Sequence, residues 1–208
     1  MEARIEGWNI VIIGSWNLSI FNPAWVSENL FGGAEVQVDF PLTPGLLSPR
    51  YTHGGVVVLI DGNRLLVHPK RPEEEDLQAA EDTALLILDL LPHTPLAAVG
   101  MNYRYVESAP SAELLGMLQF SDDEKIVRDG YEIVTAEIGR QLRREGGVLN
   151  LKVSRVQQTA VFNFNYNSQV GSAGQAREAI RGRMVDLQRQ SLVFLQSIYA
   201  QQPLEVGG

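Results

Sequence analysis

Two stretches decide how this chain is read: IVIIGSWNLSIFNPAW, residues 10–25, and LAAVGMNYRYVESAPSA, residues 96–112. Each runs four apolar residues into a glycine, Gly14 or Gly100. A polar and aromatic stretch follows, and then a proline, nine residues on at Pro23 and ten residues on at Pro110. The run Ile10 to Ile13 fits a strand buried on both faces. Asn22 before Pro23 offers a helix N-cap followed by proline at the first helical position, where its missing N–H is harmless. Each stretch thus reads as a strand leading into a short helix, Pro23 to about Leu30 and about Pro110 to Leu118.

The segments beyond each pair continue in the same order. In AEVQVDF, Ala34, Val36, Val38 and Phe40 alternate with Glu35, Gln37 and Asp39, the pattern of a half-buried strand. PLTPGLLSPRYTH reads as a loop, and GGVVVLIDGNRLLVHP as a hairpin whose Asp61-Gly62 supplies the positive φ angles of a tight turn. Glu73, Glu74, Glu75 and Asp76 then open a helix with the stripe Leu77, Ala80, Ala84, Leu88 and Leu91, and Pro92 ends it. After the second stretch, strands are expected near Tyr131–Leu142, Val148–Ser154 and Ala160–Tyr166. Ser172 with Gln175 forms a capping box for one long helix running to about Ala200.

Both halves therefore spell strand, short helix, three strands, long helix. The expected fold is α+β: two tandem β-α-β-β-β-α repeats, residues 1–93 and 94–201, followed by a flexible tail at 202–208. Joining the halves edge to edge removes two open sheet edges. It gives one curved antiparallel sheet of about eight strands with two long helices on one face. In this order of elements the chain resembles the pseudo-two-fold saddle of the TATA-box-binding protein. The resemblance covers topology alone, and no sequence motif of that family is present.

Composition narrows the function. The chain has 208 residues, 45% apolar and 20% charged, which is ample for a core and unlike a disordered segment. There is no cysteine, so disulfides and thiolate chemistry are excluded. No apolar run approaches a membrane span, and MEARIEGWN lacks the features of a secretory signal, so a cytoplasmic location without membrane partners is expected. The net charge of −8 argues against nucleic acid, for which Arg140, Arg143 and Arg144 beside Gly146-Gly147 are the one candidate patch.

No phosphate-binding glycine loop, dinucleotide fingerprint, nucleophile elbow or H-E-x-x-H occurs, and no cofactor or metal is expected. His53, in SPRYTHGG with Arg50 and Tyr51, is the best general-base candidate and has no identified carboxylate partner. Asp122, Asp123 and Glu124 could hold a hard cation; the alternative is a solvated acidic run in a loop. Trp8, Trp16 and Trp25 are either an interface cluster or core.

The free sheet face is expected to carry Glu35, Gln37, Asp39, Asn102, Arg104, Asn150, Lys152, Asn163 and Asn165. Amides donate and accept at once, so this face suits a polar ligand or a partner's backbone; the alternative is the solvated side of an antiparallel sheet. The leading expectation is a non-enzymatic protein-binding or assembly module that engages a protein partner or itself. The alternative is a small-molecule-binding protein or enzyme with a pocket between the sheet and the 42–53 and 108–130 loops.

Overall fold

The computed structural model describes residues 1–40, 49–144 and 147–200; the expected tail at 202–208 lies outside the described residues. Ile10 and Ile12 have no exposed surface, whereas Val11 is half-buried and Ile13 is 38% exposed. Their strand thus has one fully covered face, not two, because the helix Glu74–Leu90 packs on it from that side.

In chain order the elements are β1 (Glu2–Ala3), a 3-10 turn (Ile5–Gly7), β2 (Asn9–Gly14), α1 (Pro23–Leu30), β3 (Gln37–Asp39), β4 (Arg50–His53), β5 (Val56–Ile60), β6 (Arg64–Pro69) and α2 (Glu74–Leu90). There follow β7 (Leu96–Glu107), α3 (Ala112–Met117), α4 (Asp123–Arg128), β8 (Thr135–Arg144), β9 (Gly147–Val156), β10 (Thr159–Gln169), α5 (Ala173–Ile180) and α6 (Met184–Tyr199). The ten strands form one sheet in the order β3-β4-β5-β6-β2-β7-β10-β9-β8, with β1 paired to β7. Every pairing is antiparallel. The protein is an α+β fold built on a large antiparallel sheet.

Several local expectations shift. The stretch around Tyr51, read as loop, is strand β4, because Tyr51 fills the core and its hydroxyl donates to the Phe21 carbonyl. Residues 41–48 of the expected loop lie outside the described residues. Only Gln37–Asp39 of the Ala34–Phe40 alternation pairs as strand, and Phe40 is 64% exposed. The β5–β6 turn is held by the Asp61 side chain, which accepts from the Asn63 and Arg64 N–H groups at 2.9 Å; Gly62 has no positive φ. Gly14 ends β2, while Gly100 lies inside β7 opposite Val11, so the two glycines that first align the halves do not hold matching places.

Helix starts follow the sequence closely. Asn22 accepts from Trp25 N–H at 3.0 Å with Pro23 at the first position, and Ser172 accepts from Gln175 N–H at 3.3 Å. The tryptophans serve the core. Trp8 and Trp16 are buried, and Trp8 packs edge-on against Tyr103 and Tyr105. In the helical layer α2 packs on β2, β5 and β6, while α5 and α6 pack on β7 and against α2. Aromatic contacts Phe162–Tyr199 and Phe164–Phe194, with the Tyr166–Ser191 hydroxyl pair at 2.9 Å, fasten α6 over β10.

The single C-terminal helix expected from the periodicity is broken between Ile180 and Met184. Gly182 takes φ +70°, a conformation that only glycine adopts freely. The break exposes a fresh helix start, and the buried Glu81 carboxylate of α2 fills it. Its oxygens accept from Gly182 N–H at 2.6 Å, Arg183 N–H at 2.9 Å and Met184 N–H at 2.8 Å. A carboxylate here satisfies orphan donors and opposes the positive end of the helix dipole. Glu81→Gln keeps the shape and removes the charge, and we expect a loss of about 2 kcal/mol in urea unfolding with native circular dichroism retained.

In the first turn of α2, buried Asp76 takes a two-pronged bond from Arg71, at 2.7 and 3.0 Å. Hydrogen bonds from Arg71 hold its carboxyl below the ordinary 3.8, despite burial. A depressed folded value means that the pair stabilises the protein fully above 3.8 and is lost as pH falls through the lower folded value. Asp76→Asn should therefore lower the melting temperature at neutral pH and flatten the acid limb of a stability profile below pH 4; an unchanged acid limb would contradict this.

Candidate functional site

Alternation along the strands sends one set of side chains under the helices and the other to the opposite face. On β9, Leu149, Leu151 and Val153 are buried, while Asn150 is half-buried and Lys152 exposed. On β10, Phe162, Phe164 and Tyr166 are buried, and Asn163 and Asn165 stand opposite them, half-buried. On β7, Met101, Tyr103 and Tyr105 are buried against Asn102 and Arg104 on the other side. The sheet register then decides which of the outward residues meet.

Asn9 pairs with Asn102, Asn102 with Asn165, Asn165 with Asn150, and Asn150 with Gln141, so five amides lie in one line across β2, β7, β10, β9 and β8. Each donates to the next. Gln141 Nε2 reaches Asn150 Oδ1 at 3.0 Å, and Asn150 Nδ2 reaches Asn165 Oδ1 at 2.9 Å. Asn165 Nδ2 reaches Asn102 Oδ1 at 2.7 Å, and Asn102 Nδ2 reaches Asn9 Oδ1 at 2.7 Å. Each of these bonds uses one of an amide's two N–H groups, leaving further donors on the face.

A second line lies beside the first. Arg104 pairs with Asn163, Asn163 with Lys152, and Lys152 with Gly139. Beyond Arg104 stands Gly7 of the 3-10 turn, so close that a Cβ there would lie 2.7 Å from Arg104 Cβ. The turn also pins the Arg104 backbone, whose carbonyl accepts from Arg4 N–H at 2.9 Å and Trp8 Nε1 at 3.0 Å. The two lines floor an open depression of about 740 Å³ that ends at Gly7 on one side and Gly139 and Gln141 on the other.

Charges in the depression are unevenly engaged. Lys152 Nζ pairs with Glu137 at 3.0 Å, and Ser154 donates to the same carboxylate at 3.2 Å. These contacts, that of Lys152 foremost, hold the Glu137 carboxyl below its ordinary value. Among the described residues the Arg104 guanidinium and the Asn163 amide make no side-chain hydrogen bond or ion pair. Among the described residues no aspartate or glutamate belongs to the lining of the depression, and Glu137 stands beside it through Lys152.

Of the nine residues expected on the free face, Asn102, Arg104, Asn150, Lys152, Asn163 and Asn165 come together here. Gln37 and Asp39 share that face but sit on β3 at the far edge, bonded to each other at 3.1 and 3.3 Å. Glu35 lies outside the strand, exposed, and its carbonyl meets His53 Nδ1 at 3.0 Å. Asn9 and Gln141 escaped the sequence reading. Asn9 stands just ahead of an apolar run, and Gln141 shows its face only through the alternation with Ile138 and Leu142. In the N-terminal half the amide line continues as Gln37, Thr52, Val57 and His68. Burial holds the His68 ring below its ordinary pKa, aided by the charge of Arg50 and opposed by the Trp8 carbonyl.

The remaining chemical candidates find ordinary places. His53 ends β4, its ring tilted against that of Phe31 with ring centres 4.7 Å apart. Asp123 pairs with Arg155 at 3.5 Å. Arg140 points under the helices, where it donates to the Tyr199 hydroxyl at 3.0 Å, whereas Arg143 alternates to the other face, so the two do not form one basic patch. The 108–130 segment carries α3 and α4, and an open cleft of about 750 Å³ there is lined by Asp123, Val127, Tyr131 and Arg155. Among the described residues no group of His, Asp and Glu side chains is arranged to hold a metal, and no helix is long and apolar enough to cross a membrane.

Comparison with known proteins gave no match: no family model fits the chain, and no curated protein is significantly similar to it.

Cutting the amide line at its centre tests whether it acts as one unit. Asn165→Ala removes two of the four bonds and should cost about 1–2 kcal/mol in urea unfolding, while Asn163→Ala, one register step away and unbonded, should change stability by less than about 0.5 kcal/mol.

Proposed function

We propose that this protein is a non-enzymatic binding or assembly module that engages a protein partner, or a second copy of itself, through the outward face of its C-terminal half. The observation that carries this reading is the line of five cross-bonded amides beside the Arg104 guanidinium, which has no partner among the described residues. That surface offers many directional donors and acceptors. Its cross-bonds fix the side chains in advance, so less rotamer freedom is lost when a partner docks. A cytoplasmic setting belongs to the same reading, supported by a chain free of cysteine.

We also read residues 1–93 and 94–201 as tandem β-α-β-β-β-α repeats in a pseudo-two-fold saddle like that of the TATA-box-binding protein. The strand order supports it. β2 and β7 sit side by side at the centre, each flanked by the last strand of its own half, β6 or β10, and each half then meanders outward. The first half adds β3, and the second splits its long helix at Gly182.

Photo-crosslinking in the native host tests the binding reading. A photoreactive residue at Asn163 or Gln141 should trap a discrete protein adduct, or a dimer of the chain, that the same residue at exposed Arg64 does not. Identical adducts from all three positions, or none, together with a strictly monomeric sedimentation profile at high micromolar concentration, would overturn it.

A further inference from the structure

Resting on that reading of the face, we infer that the partner presents an acidic segment and that Arg104 is the residue that receives its carboxylate. The chain carries 25 acidic against 17 basic residues, yet the two cations that face the depression are Arg104 and Lys152, and only Lys152 is answered by a carboxylate among the described residues, that of Glu137. In an acidic protein the uncompensated Arg104 guanidinium is a positive seat, and such a seat complements a negative group.

Arg104 is prepared for this task. Its backbone is held by Trp8 and Arg4, and its stem lies against Gly7, where a larger residue would collide with it. Its guanidinium, exposed and without a partner among the described residues, is a planar fork matched to a carboxylate. In register beside it stand the Asn163 amide, unbonded among the described residues, and then Lys152, which is paired with Glu137.

The layout favours a peptide over a small anion. Arg104, Asn163 and Lys152 occupy three successive strands, so their backbones are spread over about 10 Å in an open recess. A phosphate needs donors converging on one point. A segment with an acidic side chain at Arg104 and its backbone along the amide line uses the spread donors instead, and it gains from the spare N–H groups of Asn102, Asn165 and Asn150.

The test is a ¹⁵N titration of the full chain with three probes: a short glutamate-rich peptide, its glutamine counterpart and inorganic phosphate. The glutamate peptide should shift the side-chain resonances of Asn163, Asn102 and Arg104, weaken as salt is raised, and bind at least about tenfold less tightly to Arg104→Gln. Asn163→Asp, which places a carboxylate in the seat, should abolish the shifts while the rest of the spectrum stays folded. Equal shifts with the glutamine peptide would overturn the acidic preference and leave the binding face standing. Phosphate displacing the glutamate peptide at matched ionic strength would make this a small-anion site instead. Silence with all three probes, while crosslinks at Asn163 persist, would overturn the inference alone; silence in both experiments would remove the binding face as well.

Discussion

The pairing of β2 with β7 is the constraint on which everything else rests. The two strands are about 90 residues apart in the chain, and their register from Asn9↔Asn102 to Gly14↔Leu96 makes a single sheet of what are otherwise two meanders. Long-range pairing of this kind carries a loop-closure cost that only a large shared core offsets. Ile10, Ile12, Val99 and Met101 supply that core on the helical side. On the other side the same register brings Asn9 against Asn102, so the pairing that closes the sheet also begins the amide line.

A second tie works in the helical layer. Glu81 reaches from α2 into the start of α6, and three N–H groups converge on its carboxylate. Burying a carboxylate is costly unless its oxygens are well bonded. Here the bonds come from a helix start that exists because Gly182 interrupts the chain. Sheet pairing and helix cap thus join the same two halves from opposite sides of the core.

Much of this was legible in the residues. Periodicity located the strands of the second half to within a few residues, since Leu149, Leu151 and Val153 or Phe162, Phe164 and Tyr166 alternate without a break. Caps at Asn22 and Ser172 were readable because local hydrogen bonds determine them. What local patterns do not encode stayed hidden. Tyr51 looks like a loop residue until the core it fills is known, and the helix break at Gly182 depends on a carboxylate about 100 positions away. Six of the nine expected face residues converge because alternation fixes their side of the sheet; Gln37 and Asp39 fall at the far edge because alternation says nothing about strand order, and Glu35 precedes the paired part of its strand.

The amide line has a consequence of its own. Every member inside it donates a hydrogen bond to one neighbour and accepts one from the other, so no single amide can turn over without setting nitrogen against nitrogen and oxygen against oxygen. The whole line shares one sense, reversible only by all of its members together. Its two tips are therefore chemically unlike, a carbonyl oxygen at Gln141 and an NH₂ at Asn9, and a guest lying along it meets a surface with a front and a back.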